Sequence, residues 1–395
     1  MNKIKIGTFI FLSIYTAYTI QAEDDGGRSE LNIVTVSVPS LTIAPDARGG
    51  GMGDIGAATE PDMASQYWNP AKYAFAYSKA GVSLSYTPWL RSLVDDIDLV
   101  YLSGYFKLGD SDRQAIGASL RYFSLGEISL TDGSGDPITS LSPYEMAIDA
   151  GYSLKLTETF SMGATFRFIY SDMGTNIDGA SDMQPGSAFA ADIAGYYHNY
   201  LMMGNNECLF GFGFNISNIG SKISYDGGNT TYFIPTNLRI GTSLLFPMDD
   251  YNTLSLNLDA NKYLVPTPPS LPQGIENQGK RQELLNKYRE ISPIAGIFKS
   301  FSDAPGGAKE EFQEISWSVG AEYAYDNKFF VRGGYFYENP NKGNRQYFSA
   351  GAGFKLAAFQ LDAAYLISTV PSNPLDQTIR IALTFDMDGL KGLVR

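Results

Sequence analysis

The sequence predicts an all-β protein: a 14-stranded antiparallel transmembrane outer-membrane β-barrel with an N-terminal hatch, or plug, segment. Three observations carry this. From residue 81 the chain divides into segments of about 9 to 13 residues in which apolar and polar side chains alternate, as in strands with one face in lipid and one in a lumen. The connections alternate between short and long, as in barrels with tight turns at the periplasmic rim and long loops outside. The composition is poor in charge (18%) and rich in Tyr (26), Phe (24) and Gly (41), and past the N-terminus no run of 18 apolar residues offers a membrane helix.

Residues 1–22, "MNKIKIGTFIFLSIYTAYTIQA", have the layout of a secretory signal peptide: two lysines, an apolar run from Ile6 to about Ile20, then Ala22 before an acidic stretch. Cleavage is expected near Ala22, with the outer membrane of a Gram-negative bacterium as destination. Without Lys3 and Lys5 the 29 basic residues become 27 against 42 acidic ones, a net charge of −15 that makes nucleic acid a poor partner. Cys208 is the single cysteine, so no intrachain disulfide is available to an exported chain of 395 residues, which then needs a large hydrogen-bonded framework.

Residues 23–80 are expected to form an N-terminal periplasmic segment and a lumenal hatch. They contain "GMGDIG", Gly51 to Gly56, which matches the G-x-G-x-x-G spacing of dinucleotide sites. That motif needs a strand before it and a helix after it, and Pro61 cuts a helix opening here short of two turns. Small residues suit close backbone packing instead, and "NPA" from Asn69 suits a turn or helix start. The glycines are therefore expected to serve packing inside a lumen.

The barrel is expected over residues 81–387. Its strands are placed near 81–89, 97–108, 113–125, 144–156, 160–171, 187–199, 207–217, 236–246, 252–263, 313–325, 328–338, 346–356, 359–368 and 377–386. In "YEMAIDAGYSLKL" Tyr144, Met146, Ile148, Ala150 and Tyr152 share one face, and Glu145, Asp149, Ser153 and Lys155 the other. In "TLSLNLDAN" Leu254, Leu256 and Leu258 oppose Ser255, Asn257 and Asp259. In "ISWSVGAEYAY" Trp317, Val319 and Tyr323 oppose Ser316, Ser318 and Glu322. A soluble sandwich also alternates, but it has no reason for the asymmetry of connection lengths or for apolar faces that begin and end in aromatic residues. Short turns are expected at 109, 157, 199, 247, 326 and 357, and long loops around 126–143, 172–186, 218–235 and 264–312. The last strand, with Ile379, Ile381, Leu383 and Phe385 on one face, can close against the first and leave no edge, and residues 388–395 are expected as a periplasmic tail.

The string "RGGGMGDIGAAT…NPAK" resembles the hatch motif of the long-chain fatty acid transporter-like barrel superfamily, whose members have fourteen strands. The resemblance covers Arg48, Gly51, Met52, Gly53, Asp54, Asn69, Pro70 and Lys72. Further strings, "YWNPAKYAF", "SYTPWL", "SLRYFSLGEI", "SFSDAPGG" and "GYFYENPNKGNRQYF", run over nearly the whole mature chain and are similar to the barrel-subunit family of the type IX secretion system. This resemblance implies partners. They are cargo proteins with C-terminal signal domains, the large translocon barrel, and a surface attachment complex with a sortase-like peptidase, to which cargo is shuttled.

Enzyme chemistry finds little to work with, and no cofactor is expected. His198 is the only histidine and is expected at a periplasmic turn, so neither a Ser-His-Asp site nor an N/S zinc site can be assembled. Glu145, Asp149, Asp259, Glu322 and Asp362 read instead as a hydrated lumen salt-bridged with Lys155, Arg332 and Arg380. A passive transporter of fatty acids or other hydrophobic small molecules is the alternative, and it requires an apolar pocket. The loop 264–312 is the candidate partner-binding element: after a stiff "VPTPPSLP" and a short helix near 276–290, it carries Ile294, Ile297, Phe298, Phe301 and Pro305 on an exterior connection, where exposed apolar residues mark protein contacts. The alternative is that this loop caps its own barrel.

Overall fold

The computed structural model describes residues 33–91, 94, 96–109, 112–131, 137–174, 183–269, 278–370 and 375–391. The leader expected over 1–22 and the end of the tail, 392–395, lie outside the described residues. The strands in chain order are β1 (Ala80–Pro88), β2 (Ile97–Leu108), β3 (Gln114–Leu125), β4 (Ile128–Thr131), β5 (Pro137–Leu141), β6 (Tyr144–Lys155), β7 (Phe160–Asp172), β8 (Gly186–Met203), β9 (Asn206–Gly220), β10 (Asn237–Pro247), β11 (Asn252–Tyr263), β12 (Ser316–Tyr325), β13 (Phe329–Tyr337), β14 (Gln346–Leu356), β15 (Phe359–Ser368) and β16 (Ile379–Asp386). Fourteen of them form one closed antiparallel barrel, while β4 and β5 make a separate two-stranded sheet in the connection from β3 to β6. Closure is by β1 against β16, from Gly81 opposite Asp386 to Tyr86 opposite Ile381, which leaves no unpaired edge in the bilayer.

The period-2 pattern sets the faces. On β6 Ile148 and Tyr152 point to lipid, while Glu145, Asp149 and Ser153 are buried in the lumen. Lipid-facing aromatics collect at both rims, as amphipathic rings do at membrane interfaces. Tyr122 stacks on Tyr144 at 5.6 Å and Tyr335 lies 4.7 Å from Phe348 at the outer ends of their strands. Phe329 and Phe354 (5.0 Å) and Phe359 and Phe385 (5.1 Å) do the same at the inner ends. The inner turn from β12 to β13 holds Asp326 and Asn327 at φ 52° and 49°, the left-handed pair that a tight hairpin requires.

Three expectations are corrected. First, β8 and β9 run to Met203 and from Asn206, so the "NYLMMGNN" region is mostly strand, and Gly204 at φ 65° supplies the turn. His198 therefore sits in β8 rather than at a turn, its ring 4.2 Å from that of Phe75. Second, β12 begins at Ser316, because Ala308–Gln313 is a helix. Third, residues 33–43 do not hang on the periplasmic side. Val34 and Val36 cluster with Phe233 and Val265 of the long connections, and the Ser37 amide donates to the Phe233 carbonyl at 2.8 Å. Burying those valines offers more than leaving them in water. From there the chain descends through the lumen by the turns Pro39–Thr42, Ala47–Gly50, Ser65–Trp68 and Pro70–Phe75 and enters β1 at the inner rim. Beyond β16 a short helix follows, Met387–Lys391.

Candidate functional site

The hatch segment fills the barrel interior, and charged or polar groups fix it to the wall. Asp46 caps Ala47–Gly50, accepting from the Gly49 amide at 2.8 Å and from the Trp68 indole at 2.6 Å. Arg48 reaches Glu322 of β12 through two parallel hydrogen bonds, 3.1 and 2.9 Å, and Asp62 through a third at 3.0 Å. Fork-to-fork pairing of this kind fixes orientation as well as charge. Glu322 also accepts from Arg332, which in turn pairs with Asp362 at 2.6 Å, so a four-residue ionic chain crosses from hatch to wall. Asp54, held at φ 64°, accepts from the Tyr347 hydroxyl at 2.6 Å and from Arg380.

The Asn69–Lys72 stretch is anchored differently. Asn69 caps the turn Pro70–Phe75 by accepting from the Ala71 amide at 3.1 Å, and its amide group donates to the carbonyls of Ala57 (2.8 Å) and Gly195 (2.9 Å). Pro70 follows at the first helical position, where its missing N–H is not needed. Lys72 is fully buried, donating to the Gly56 carbonyl at 2.9 Å and to Thr59 Oγ1 at 3.0 Å. Burial pushes its ammonium down to about 8, against an ordinary value of 10.5.

The glycines act on both sides of this contact. A Cβ on Gly51 would come 3.1 Å from the Gly351 Cα, and Gly53, at φ 82°, lies against the backbone of Tyr335. The wall answers with inward glycines: a Cβ on Gly334 or Gly320 would fall 2.0 or 2.3 Å from Met52 backbone atoms, and one on Gly213 2.0 Å from the Ala57 carbonyl. Such distances are sterically impossible, so the wall is notched where hatch backbone passes. Composition flags many glycines, but only the inward parity within "GFGFN" could have singled out Gly211 and Gly213.

Of the carboxylates expected to be salt-bridged, Asp149, Glu322 and Asp362 are paired with arginines. Glu145 and Asp259 have no such pair among the described residues. Each instead holds hatch backbone: Glu145 accepts from the Ser40 amide at 3.0 Å, and Asp259 from the amides of Gly56 (2.9 Å) and Ala57 (3.0 Å). Lys155 lies over the Phe75 ring at 4.8 Å and has no ion pair among the described residues. The triad Arg167, Asp149 and Asp192 went unnoticed in the sequence, since its members lie on three strands.

The candidate partner loop forms helices Gln278–Glu290, Pro293–Lys299 and Ala308–Gln313. Ile294, Phe298 and Phe301 are 56%, 73% and 51% exposed, Pro305 is exposed, and Ile297 is half-buried. Phe312, 63% exposed and overlooked in the sequence, extends this apolar set to within 6.3 Å of lipid-facing Trp317. The loop is tied to the barrel mouth through its last helix. Lys262 of β11 pairs with Glu311 (3.0 Å) and Glu314, and Lys342 with Glu310 (2.6 Å) and Glu314 (2.9 Å).

Two larger cavities lie on either side of the hatch. The outer one, about 240 Å³, is mostly apolar and touches Ile43, Trp89, Leu90, Phe123 and Leu375. The inner one, about 460 Å³, is lined by charged residues including Arg48, Asp62, Glu322 and Asp362.

Among solved structures the chain is similar to the Ralstonia pickettii toluene transporter TbuX (14% identity over 87% of this chain and 98% of that one, TM-score 0.45), the monoaromatic hydrocarbon channel CymD (12%, 89% and 99%, TM-score 0.49) and a Pseudomonas aeruginosa FadL homologue (11%, 90% and 99%, TM-score 0.42). No curated protein sequence matches. The family model described as type IX secretion system protein PorV matches residues 27–270. With a hatch-bearing closed barrel on one side and that match over more than half of its length on the other, the chain belongs to the PorV family, outer-membrane β-barrel proteins of type IX secretion.

Proposed function

We propose that this protein is a non-enzymatic cargo-binding and shuttle component of type IX secretion. It binds the C-terminal signal domain of exported proteins, associates with the large translocon barrel, and delivers cargo to the sortase-like attachment complex at the cell surface. A leader ending near Ala22 directs it to the outer membrane. The observation that carries the reading, beyond family membership, is the exposed apolar face of Ile294, Phe298 and Phe301 on a loop held to the barrel mouth by Lys262 and Lys342. A clamped apolar surface costs little ordering entropy when a partner covers it, which favours affinity. Replacing Ile297, Phe298 and Phe301 with polar residues is expected to reduce co-purification of translocon and cargo from mild-detergent extracts by at least tenfold. Unchanged recovery, with the barrel folded, removes this loop as the docking site.

A passive transporter of hydrophobic small molecules is the second reading, favoured by the apolar outer cavity of about 240 Å³. Mass spectrometry of the same preparation separates the two. Surface proteins sharing a C-terminal domain, together with a very large barrel, support secretion; the barrel alone with bound fatty acid or hydrocarbon supports transport.

A further inference from the structure

We propose that the lumen holds a binding site for an oxyanion, a carboxylate or a phosphate, between Arg121 of β3 and Arg239 of β10. A cavity of about 80 Å³, room for several water-sized groups, is lined by both guanidinium groups and by Tyr67, Tyr101 and Asn237. Four carboxylates also face it, and each is already engaged: Asp54 by Arg380, Asp149 by Arg167, Glu314 by Lys262 and Lys342, and Glu338 by Arg345. Arg121 and Arg239 are the lining cations with no ion pair among the described residues.

Arg121 is 3% exposed, donates only to the carbonyls of Ser40 and Ile43, and leaves Nη2 without a partner. Arg239 donates through Nε to Asn261 at 2.7 Å and leaves Nη1 without one. Both sit against the same ring, 4.9 and 5.2 Å from the centroid of Tyr67, and Arg239 also lies 4.3 Å over Trp68. Aromatic faces offset part of a guanidinium charge but accept none of its in-plane N–H donors. A buried cation with an unsatisfied donor is costly unless an anion completes it, and a planar fork matches carboxylate and phosphate oxygens alike. Tyr67, half-buried and fixed edge-on to Trp68 at 4.8 Å, packs against both cations, and both line the same cavity.

Trp68 is a built-in reporter. In the full chain purified in detergent with Trp89→Phe and Trp317→Phe, its emission is followed while inorganic phosphate, and separately acetate, replaces chloride at constant ionic strength. A saturable change with at least one anion is expected, half-saturating at least tenfold higher in Arg121→Gln and in Arg239→Gln. Saturation by phosphate alone, by acetate alone, or by both in competition states which oxyanion the site takes. A linear response to both anions, or curves unmoved by the Arg239 substitution, overturns the proposal. Should Arg121→Gln fail to give a heat-modifiable folded barrel, Arg239→Gln and Arg239→Lys decide, since this half-buried side chain makes a single side-chain hydrogen bond.

Discussion

Gly334 faces the lumen where Met52 passes, and any side chain there would occupy Met52 backbone space, since even a Cβ falls 2.0 Å from its carbonyl carbon. Gly334→Val and Gly213→Val are therefore expected to expel the hatch without unzipping the barrel, whose ladder uses backbone atoms only. Limited proteolysis should then cut residues 45–75 at least tenfold faster while the heat-modifiable gel shift persists. Lys72 gives a pH test. Its folded value of about 8 lies below the ordinary 10.5, so burial disfavours the charged form, and the cost is fully present below pH 8. As pH rises from about 8 to about 10.5 the docked hatch gains stability relative to the released one, by about 3 kcal/mol at most. Protease protection of the hatch is expected to increase through that window in the native chain and to stay flat there in Lys72→Met. A native profile as flat as the variant's would remove Lys72 from the docking equilibrium.

At the scale of elements, the last loop helix, Ala308–Gln313, is a strut. Lys342 and Lys262 are nearly buried and hold three glutamates between them, so removing one cation strands negative charge at the mouth. Breaking such a pair costs roughly 3–5 kcal/mol where burial is deep. Lys342→Met should free the 264–315 connection for proteolysis and lower partner recovery in parallel with the apolar triple substitution; a change in proteolysis without a change in recovery separates the clamp from docking. The hairpin β8–β9 shows how local signals fail. Of Tyr200, Leu201, Met202 and Met203 only Tyr200 is a strong strand former, and their lack of clean alternation makes them look like a connection. Pairing of Leu201 with Cys208 and of Met203 with Asn206 settles it, and pairing across a turn is invisible to a count of polar residues.

For the whole molecule, the hatch separates an apolar outer chamber from a charged inner one. Deleting residues 33–76 is expected to leave a folded barrel that conducts in planar bilayers, at least tenfold above the native chain. Equal conductance of the two would show that the hatch does not close the lumen. The strands were legible because each carries its own record: the fourteen expected segments lie within about three residues of the observed barrel strands at nearly every end, since alternation states both position and facing. Asn69 and Pro70 were legible for the same reason, a cap and a first-turn proline being local. By itself, then, the sequence determined the closed barrel, the approximate strand boundaries, which side chains meet lipid, and the family. Only the tertiary structure decided which charges meet, as with Arg48 and Glu322, 274 residues apart; which wall glycines are notches; and that residues 33–43 lie at the outer mouth. Periodicity is written along one strand, whereas contact across a lumen depends on closure, shear and the path of a segment that has no period at all.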